Sequence, residues 1–167
     1  MNPFSSSFAK LTSHPIFSER GLTSGQFPEL ADVLNFLMSE LVEPALDPKV
    51  LTVVHGFPAM LSSQALLDPE NPEISLRFEV FGGGMELGNG YQELRDPKEY
   101  QRRFEAENRK RQVAGKTVPP LDEQWFMDMG LQLPACSGVA VGLDRLIQLG
   151  FGAKSLSEIL EFPWKNS

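Results

Sequence analysis

The spacing of apolar residues predicts one amphipathic helix early in the chain and three short strands after it. In residues 29–42, leucine and valine recur at the intervals of one helix face. Residues 51–57 are β-rich and short, which predicts a buried strand. Two further strands are expected at about residues 76–81 and 84–89. Residues 1–27, rich in Ser, Gly and Pro, are expected to be a poorly anchored lead-in.

The next helix has a clear start signal. Asp96 is a natural N-cap, Pro97 suits the first helical position, and Glu99 completes a capping box. This helix is expected to run to about Val113. A second, shorter helix is expected over residues 121–130 and should end at Gly130.

The end of the chain predicts one more strand between helices. Residues 136–142 form a short strand of small residues, and a helix follows at once over residues 143–150. A last helix over residues 155–162 is expected to begin with a capping box between Ser155 and Glu158. The order of elements predicts an α+β fold, a mostly antiparallel sheet flanked by helices.

Composition excludes several classes of protein. The chain carries a net charge of −7, which argues against binding nucleic acid, because that affinity comes from Lys and Arg on phosphates. No membrane span or secretory leader is predicted, and a lone Cys136 fits a reducing, cytoplasmic compartment. The basic residues between 102 and 111 alternate with glutamates and predict a solvated helix face, or a docking surface for an acidic partner.

A glycine-rich hairpin holds the first candidate site. If Gly82 and Gly83 form a two-residue turn, Glu79 lies directly opposite Glu86 on one face of the sheet. Two like charges there repel unless a cation lies between them, and Mg²⁺ with its phosphates, or a substrate ammonium group, fits that role. The alternative is a turn displaced by one residue, which we expect to put the glutamates on different faces.

Two further features add to this site. The glycines of residues 87–91 leave a bare strand on which a substrate could lie, with Glu93 at its far end. Arg145 falls in the first turn of a helix, where the helix dipole disfavours a cation. It therefore suggests a task such as gripping phosphate or stacking on a base, or else a pair with Asp144 or a nearby glutamate.

These stretches resemble a known family. GVAVGLDRL, residues 138–146, resembles motif 3 of class II aminoacyl-tRNA synthetases, and RFEVFGGGMELGNGYQEL, residues 77–94, resembles their lysyl-tRNA synthetase branch. Further stretches, FPAMLSSQA, RFEAENRKRQVAG and PACSGVAVGLDRL, resemble a tRNA-independent group within that branch, the ligases that attach β-lysine to elongation factor P. The resemblance covers about residues 52–162.

The resemblance implies an ATP site on the hairpin and the motif 3 helix. Glu79 and Glu86 would hold Mg²⁺ and the phosphates of ATP, with the backbone of Val80 near the adenosine. Gly142 and Arg145 would border ATP, Arg145 on the adenine and γ-phosphate side. The catalytic residues implied are Arg145 and Glu86.

The resemblance also implies an amino-acid pocket. Asn89 and Glu93 would line it, with Glu93 facing the side-chain ammonium of lysine, and Glu86 would meet the substrate amino group. Ala140 stands where motif 3 has its middle glycine, which reshapes the pocket and favours the elongation-factor ligase over the tRNA synthetase.

Motifs 1 and 2 of the class would precede the matching region. Met1 falls just after the expected end of motif 2, so residues 1–45 are taken as a lead-in with a peripheral helix and residues 46–167 as a partial catalytic core. We expect the chain alone to form an adenylate poorly or not at all, because half the ATP site loses most of its electrostatic stabilisation.

The partners implied are elongation factor P and lysine or β-lysine, with ATP and Mg²⁺; tRNA is not expected. We expect a homo-oligomer, or association with a missing N-terminal half, because an uncovered core face favours association. The alternatives are a fragment of a lysyl-tRNA synthetase, a non-catalytic remnant that binds nucleotide or amino acid, and an acidic α+β domain without a site.

Overall fold

The computed structural model describes residues 8–162, apart from the side chains of residues 129–131. The chain forms two compact units that interleave along the sequence. Unit 1 comprises Met1–Val54, Glu79–Asn89 and Ala140–Ser167, and unit 2 comprises His55–Phe78 and Gly90–Val139. The boundary placed between residues 45 and 46 from sequence stays a prediction.

The fold is α+β, as predicted, with a four-stranded antiparallel sheet and helices. The strands lie in the order β1-β2-β3-β4, and they are β1 (Thr52–Pro58), β2 (Ile74–Gly82), β3 (Met85–Gln92) and β4 (Ser137–Val141). The α-helices are α1 (Phe8–Thr12), α2 (Pro15–Glu19), α3 (Leu30–Leu37), α4 (Pro97–Val113), α5 (Glu123–Gln132) and α6 (Leu143–Phe151). No helix in the described part of the chain has the length and apolar character needed to cross a membrane.

The start of unit 1 is anchored by a small apolar core, so the prediction of a poorly anchored lead-in is wrong from residue 8 onward. Phe17 is 3% exposed and Val33 is fully buried. The ring of Phe17 packs against those of Phe27 and Phe36, with centroids 5.2 and 4.8 Å away. Burial of aromatic surface holds α2 against α3, a long-range effect that composition did not reveal.

Three predicted helices differ from the structure. The early helix is α-helical only over α3 and continues as a π-helical segment, Met38–Val42. The helix predicted to end at Gly130 is α5, which continues to Gln132. The predicted last helix is a single 3₁₀ turn, Leu156–Glu158, and its Ser155 side chain lies beside Ser157 rather than capping the turn.

In unit 2, α4 begins where the sequence predicted. The Asp96 carboxylate accepts hydrogen bonds from the backbone N–H groups of Lys98 and Glu99, and Pro97 occupies the first turn. One face of α4 packs on α5 through aromatic rings. The ring centroid of Tyr100 lies 5.2 Å from that of Trp125 and 5.4 Å from that of Phe126.

Arg103 ties α4 to the loop that follows β1. Its Nη1 donates to the hydroxyl of Ser62 and to the carbonyl oxygens of Ser63 and Ala65, at 2.8–3.0 Å. Its Nε donates to the Glu99 carboxylate at 2.8 Å. The side chain is only 13% exposed, whereas Arg102, bound to the same carboxylate, is 67% exposed.

Replacing Arg103 with alanine is expected to lower the free energy of unfolding by about 2–3 kcal/mol, because three oxygens of the loop lose a charged donor. Urea unfolding followed by tryptophan fluorescence measures this. Arg102→Ala is the matched control, since it removes a guanidinium group from the same glutamate without touching the loop. Equal losses in the two variants would contradict the role given to the loop contacts.

The Glu99 carboxylate supplies a pH-dependent part of the stability. Hydrogen bonds from Arg102, and then from Arg103, lower its pKa from 4.5 to about 2. A carboxyl with a lowered folded pKa stabilises the protein above its unfolded pKa, and the contribution is lost as pH falls towards the folded value. Glu99→Gln is expected to cost about 1 kcal/mol at pH 7.

The difference between wild type and Glu99→Gln should narrow between pH 4.5 and about 2. Urea unfolding at successive pH values checks this. A difference that stays constant over that range would show that charge pairing at Glu99 is not its source.

Candidate functional site

The turn of the β2–β3 hairpin is Gly83–Gly84, not Gly82–Gly83 as predicted. Both residues have positive φ, 62° and 76°, and the strands end and begin at Gly82 and Met85. These are the conformations that a two-residue primed turn requires and that glycine adopts without strain. Next to this turn Phe81, not Glu79, is the residue opposite Glu86, so the predicted face-to-face pair of glutamates is wrong.

The displaced turn alone does not change which face a side chain occupies. Moving a two-residue turn by one position shifts the pairing by two residues, which preserves the alternation of faces. The expectation that a displaced turn separates Glu79 and Glu86 is therefore also wrong as an argument.

A direct contact in unit 1 shows that the alternation is broken elsewhere in the hairpin. The Asn89 Nδ2 donates to Glu79 Oε1 at 3.0 Å. Regular pairing from the turn would place Glu79 opposite Gly88 and put Asn89 on the other face. Side chains cannot meet through the sheet, so one strand must hold an extra residue, as in a β-bulge.

The two carboxylates of the hairpin have different surroundings. Glu79 is 8% exposed and held by the Asn89 amide. Glu86 is half-buried, and its carboxylate lies 3.7 Å from Nη1 of Arg145. One glutamate is thus a fixed, buried acceptor, while the other is an accessible group with a cation beside it.

Arg145 is placed by the start of α6. Gly142 is the residue before this helix; its N–H donates to the Leu87 carbonyl at 2.9 Å, and the stem of Arg145 lies against it. The Nη1 of Arg145 donates to the backbone carbonyl of Glu86 at 2.8 Å. The sequence left Asp144 or a nearby glutamate as the possible ion-pair partner of Arg145. The structure favours a glutamate, Glu86, which the sequence did not identify as this partner.

The remaining predicted residues of unit 1 lie along the strands. Val80 is half-buried in β2, next to Glu79. The bond from Gly142 to Leu87 sets the register of β4 on β3 there, and two residues further along it places Ala140 opposite Asn89. Ala140 is exposed, and in this register its methyl group lies on the same face of the sheet as the Asn89 side chain.

Glu93 belongs to unit 2 and has its own environment. Its backbone N–H donates to the Cys136 carbonyl at 3.0 Å. Burial raises the pKa of the Glu93 carboxyl above its usual value. Burial, and then the charge of Glu93, raises the pKa of Tyr91, so the two side chains are near neighbours.

The donor set of the hairpin suits a hard cation only with help from a ligand. Within residues 8–162, no group of three or more His, Cys, Asp or Glu residues could hold a metal ion by itself. Mg²⁺ is commonly held by one or two carboxylates together with substrate phosphates. Two carboxylates such as Glu79 and Glu86 would therefore need phosphate oxygens of a ligand to complete an Mg²⁺ site.

Comparison with known proteins defines the class. A family model of class II tRNA synthetases (D, K and N) matches residues 22–166, and the chain belongs to this family. Among curated proteins, it is similar to the elongation factor P–(R)-β-lysine ligases of Salmonella gallinarum, Salmonella dublin and Salmonella paratyphi B. Each is 41% identical over 130 residues, which cover 78% of this chain. The chain spans about 40% of the length of these relatives.

Asn89→Asp is expected to destabilise the protein by about 2 kcal/mol at pH 7, because it replaces the donor to Glu79 with a second, partly buried negative charge. Most of the loss should disappear as pH is lowered and one of the two carboxyls takes up a proton. Urea unfolding at several pH values measures this. Asn108→Asp, at an exposed amide bound to the Pro119 carbonyl, is the control. Similar losses at both positions would contradict the contact with Glu79.

Proposed function

We propose that this chain forms part of an ATP-dependent ligase that activates lysine or β-lysine as an aminoacyl adenylate and transfers it to a lysine of elongation factor P. The observation that carries the proposal is the grouping in unit 1 of a buried carboxylate, an accessible carboxylate and an arginine. Glu79 is held by Asn89, and Glu86 lies beside Arg145. The similarity to the β-lysine ligases gives this grouping its chemical meaning.

The proposed first step joins the amino acid to AMP. The substrate carboxylate attacks the α-phosphorus of ATP, a P–O bond forms, and pyrophosphate leaves. Mg²⁺ would neutralise charge on the phosphates when bound. Glu79 and Glu86 would hold that cation, Arg145 would bind the adenine and γ-phosphate side, and the Val80 backbone and Gly142 would border the nucleotide. In-line attack of this kind depends on positioning and on charge stabilisation more than on acid–base catalysis.

The proposed second step transfers the aminoacyl group. A neutral lysine amine of the acceptor attacks the carbonyl carbon of the adenylate, an amide C–N bond forms as the C–O bond to AMP breaks, AMP leaves, and the amine releases one proton to water. Asn89, Ala140 and Glu86 would line one part of the amino-acid pocket. Glu93 would face the substrate's side-chain ammonium, a role supported by its partly buried carboxylate.

A lysyl-tRNA synthetase activity is the second candidate, because the matching family model includes the tRNA synthetases themselves. It uses the same adenylate and differs only in the acceptor. Ala140, at the position of a motif 3 glycine, and the net charge of −7 favour the protein acceptor. Charging of tRNA with lysine, measured beside modification of elongation factor P, distinguishes the two.

The test begins with nucleotide binding by the chain as it exists. Isothermal titration calorimetry should show ATP binding that requires Mg²⁺ and weakens at least about tenfold in Glu79→Gln and in Arg145→Ala. Glu105→Gln and Arg109→Ala are the controls, since they break an exposed ion pair on α4. Binding that is unchanged in both site variants would contradict the proposed nucleotide site.

ATP–pyrophosphate exchange with lysine, with β-lysine and without amino acid tests the chemistry. We expect Mg²⁺–ATP binding without exchange, in keeping with a partial site. Lysine-dependent exchange by this chain would show instead that the groups described above suffice for adenylate formation. Absence of both binding and exchange would contradict the proposed nucleotide site, and it would also exclude a remnant that binds nucleotide.

A further inference from the structure

The space above Gly138 in β4 is filled by the carboxylate of Glu93. A Cβ atom at position 138 would lie 2.6 Å from Glu93 Oε1, closer than real Cβ contacts allow. Gly138 does not have a positive φ, so its backbone does not require glycine. What matters at this position is the missing side chain.

The register of β3 and β4 in unit 2 explains how the two residues meet. Glu93 pairs with Cys136 through its backbone N–H, and in an antiparallel ladder this places Tyr91 opposite Gly138. The Glu93 side chain therefore leans diagonally across the sheet, over the residue that faces Tyr91. A side chain at position 138 would occupy that diagonal path.

Two tyrosine side chains respond to the charge of the Glu93 carboxylate. Tyr91 and Tyr100 both have raised pKa values, mainly from burial and partly from the negative charge of Glu93. Arg77 acts on Tyr91 in the opposite sense. A partly buried carboxylate is screened less than one in open water, so its attraction for a cation is stronger.

We propose that Gly138 is a positioning residue, whose lack of a side chain keeps the Glu93 carboxylate over β4, where it selects an amino acid by the ammonium group at the end of its side chain. The inference rests on the proposed function for the identity of the ligand. The position of the carboxylate is a separate matter, which can be measured without any ligand.

The contact at Gly138 differs from that at Gly90, and the difference separates a positioning role from a folding role. A Cβ at position 90 would meet the Gly138 carbonyl oxygen at 2.5 Å and the ring of Phe78 at 2.7 Å. Backbone cannot move aside easily, so Gly90 is needed for close approach of the strands. At position 138 the obstacle is the far end of a flexible side chain, which can swing away while the protein stays folded.

The first measurement follows the Glu93 carboxyl carbon by NMR in protein labelled with ¹³C-glutamate, assigned from the signal lost in Glu93→Gln. In Gly138→Ala the pKa of Glu93 should fall towards its ordinary value, because the displaced carboxyl enters water. Val139→Ala is the control, because it shortens an exposed side chain next to Gly138 on the same strand. An unchanged Glu93 signal and pKa in Gly138→Ala would overturn the proposal.

The second measurement compares binding of lysine and of norleucine, which has no side-chain ammonium, by NMR titration of the same variants. Wild type should bind lysine at least about tenfold more tightly than norleucine, and Gly138→Ala should lose most of that preference. In the Glu93→Gln background Gly138→Ala should cause no further loss, because coupled residues are not additive. Equal losses of preference in both backgrounds would contradict action through Glu93.

The two measurements distinguish the two proposals. If wild type binds neither amino acid but Glu93 still responds to Gly138→Ala, the proposed function fails and the positioning of the carboxylate stands without its substrate role. If lysine preference is present and insensitive to Gly138→Ala, the proposed function stands and the role of Gly138 is wrong.

Discussion

The conformation of two consecutive glycines governs the candidate nucleotide site. Gly83 and Gly84 take positive φ, and this fixes which residues of β2 and β3 lie opposite each other next to the turn. Because successive residues of a strand point to opposite faces, every later contact in the hairpin depends on that choice and on any extra residue in either strand. The bond from Asn89 to Glu79 does not fit unbroken pairing from this turn, so the strands depart from regular alternation between the turn and these two residues.

The sequence predicted well what is decided locally. The start of α4 follows from Asp96 and Pro97, whose contacts lie within one helical turn, and it was predicted to the residue. The antiparallel α+β class follows from the order and period of the segments. The family resemblance also rested on short contiguous stretches, and the match over residues 22–166 confirms it.

The register of the hairpin could not be predicted locally, because three consecutive glycines allow two positions for the turn. Packing with distant residues favours one of them. A Cβ on Gly82 would meet Leu51 at 2.7 Å and Leu87 at 3.0 Å, so Gly82 is a strand residue in close apolar contact. The backbone N–H of Gly83 donates to the Pro48 carbonyl, which ties the turn to a segment far away in sequence. The sequence did not predict the packing of Phe17 for the same reason. One of the rings that it contacts, Phe36, lies in α3, and the other, Phe27, lies in the segment between α2 and α3.

The two hairpin carboxylates have pairings of unequal strength, and this inequality suits the proposed chemistry. Arg145 and Glu86 are 49% and 37% exposed, so their ion pair contributes little, typically less than about 1 kcal/mol. A phosphate could therefore bind Arg145, and a cation could bind Glu86, with little loss of folding stability. Glu79 cannot be released as cheaply, because a buried carboxylate that loses its donor pays a desolvation penalty. The proposed binding of a cation and a nucleotide would therefore displace only the weak ion pair, and the bond from Asn89 to Glu79 would stay in place.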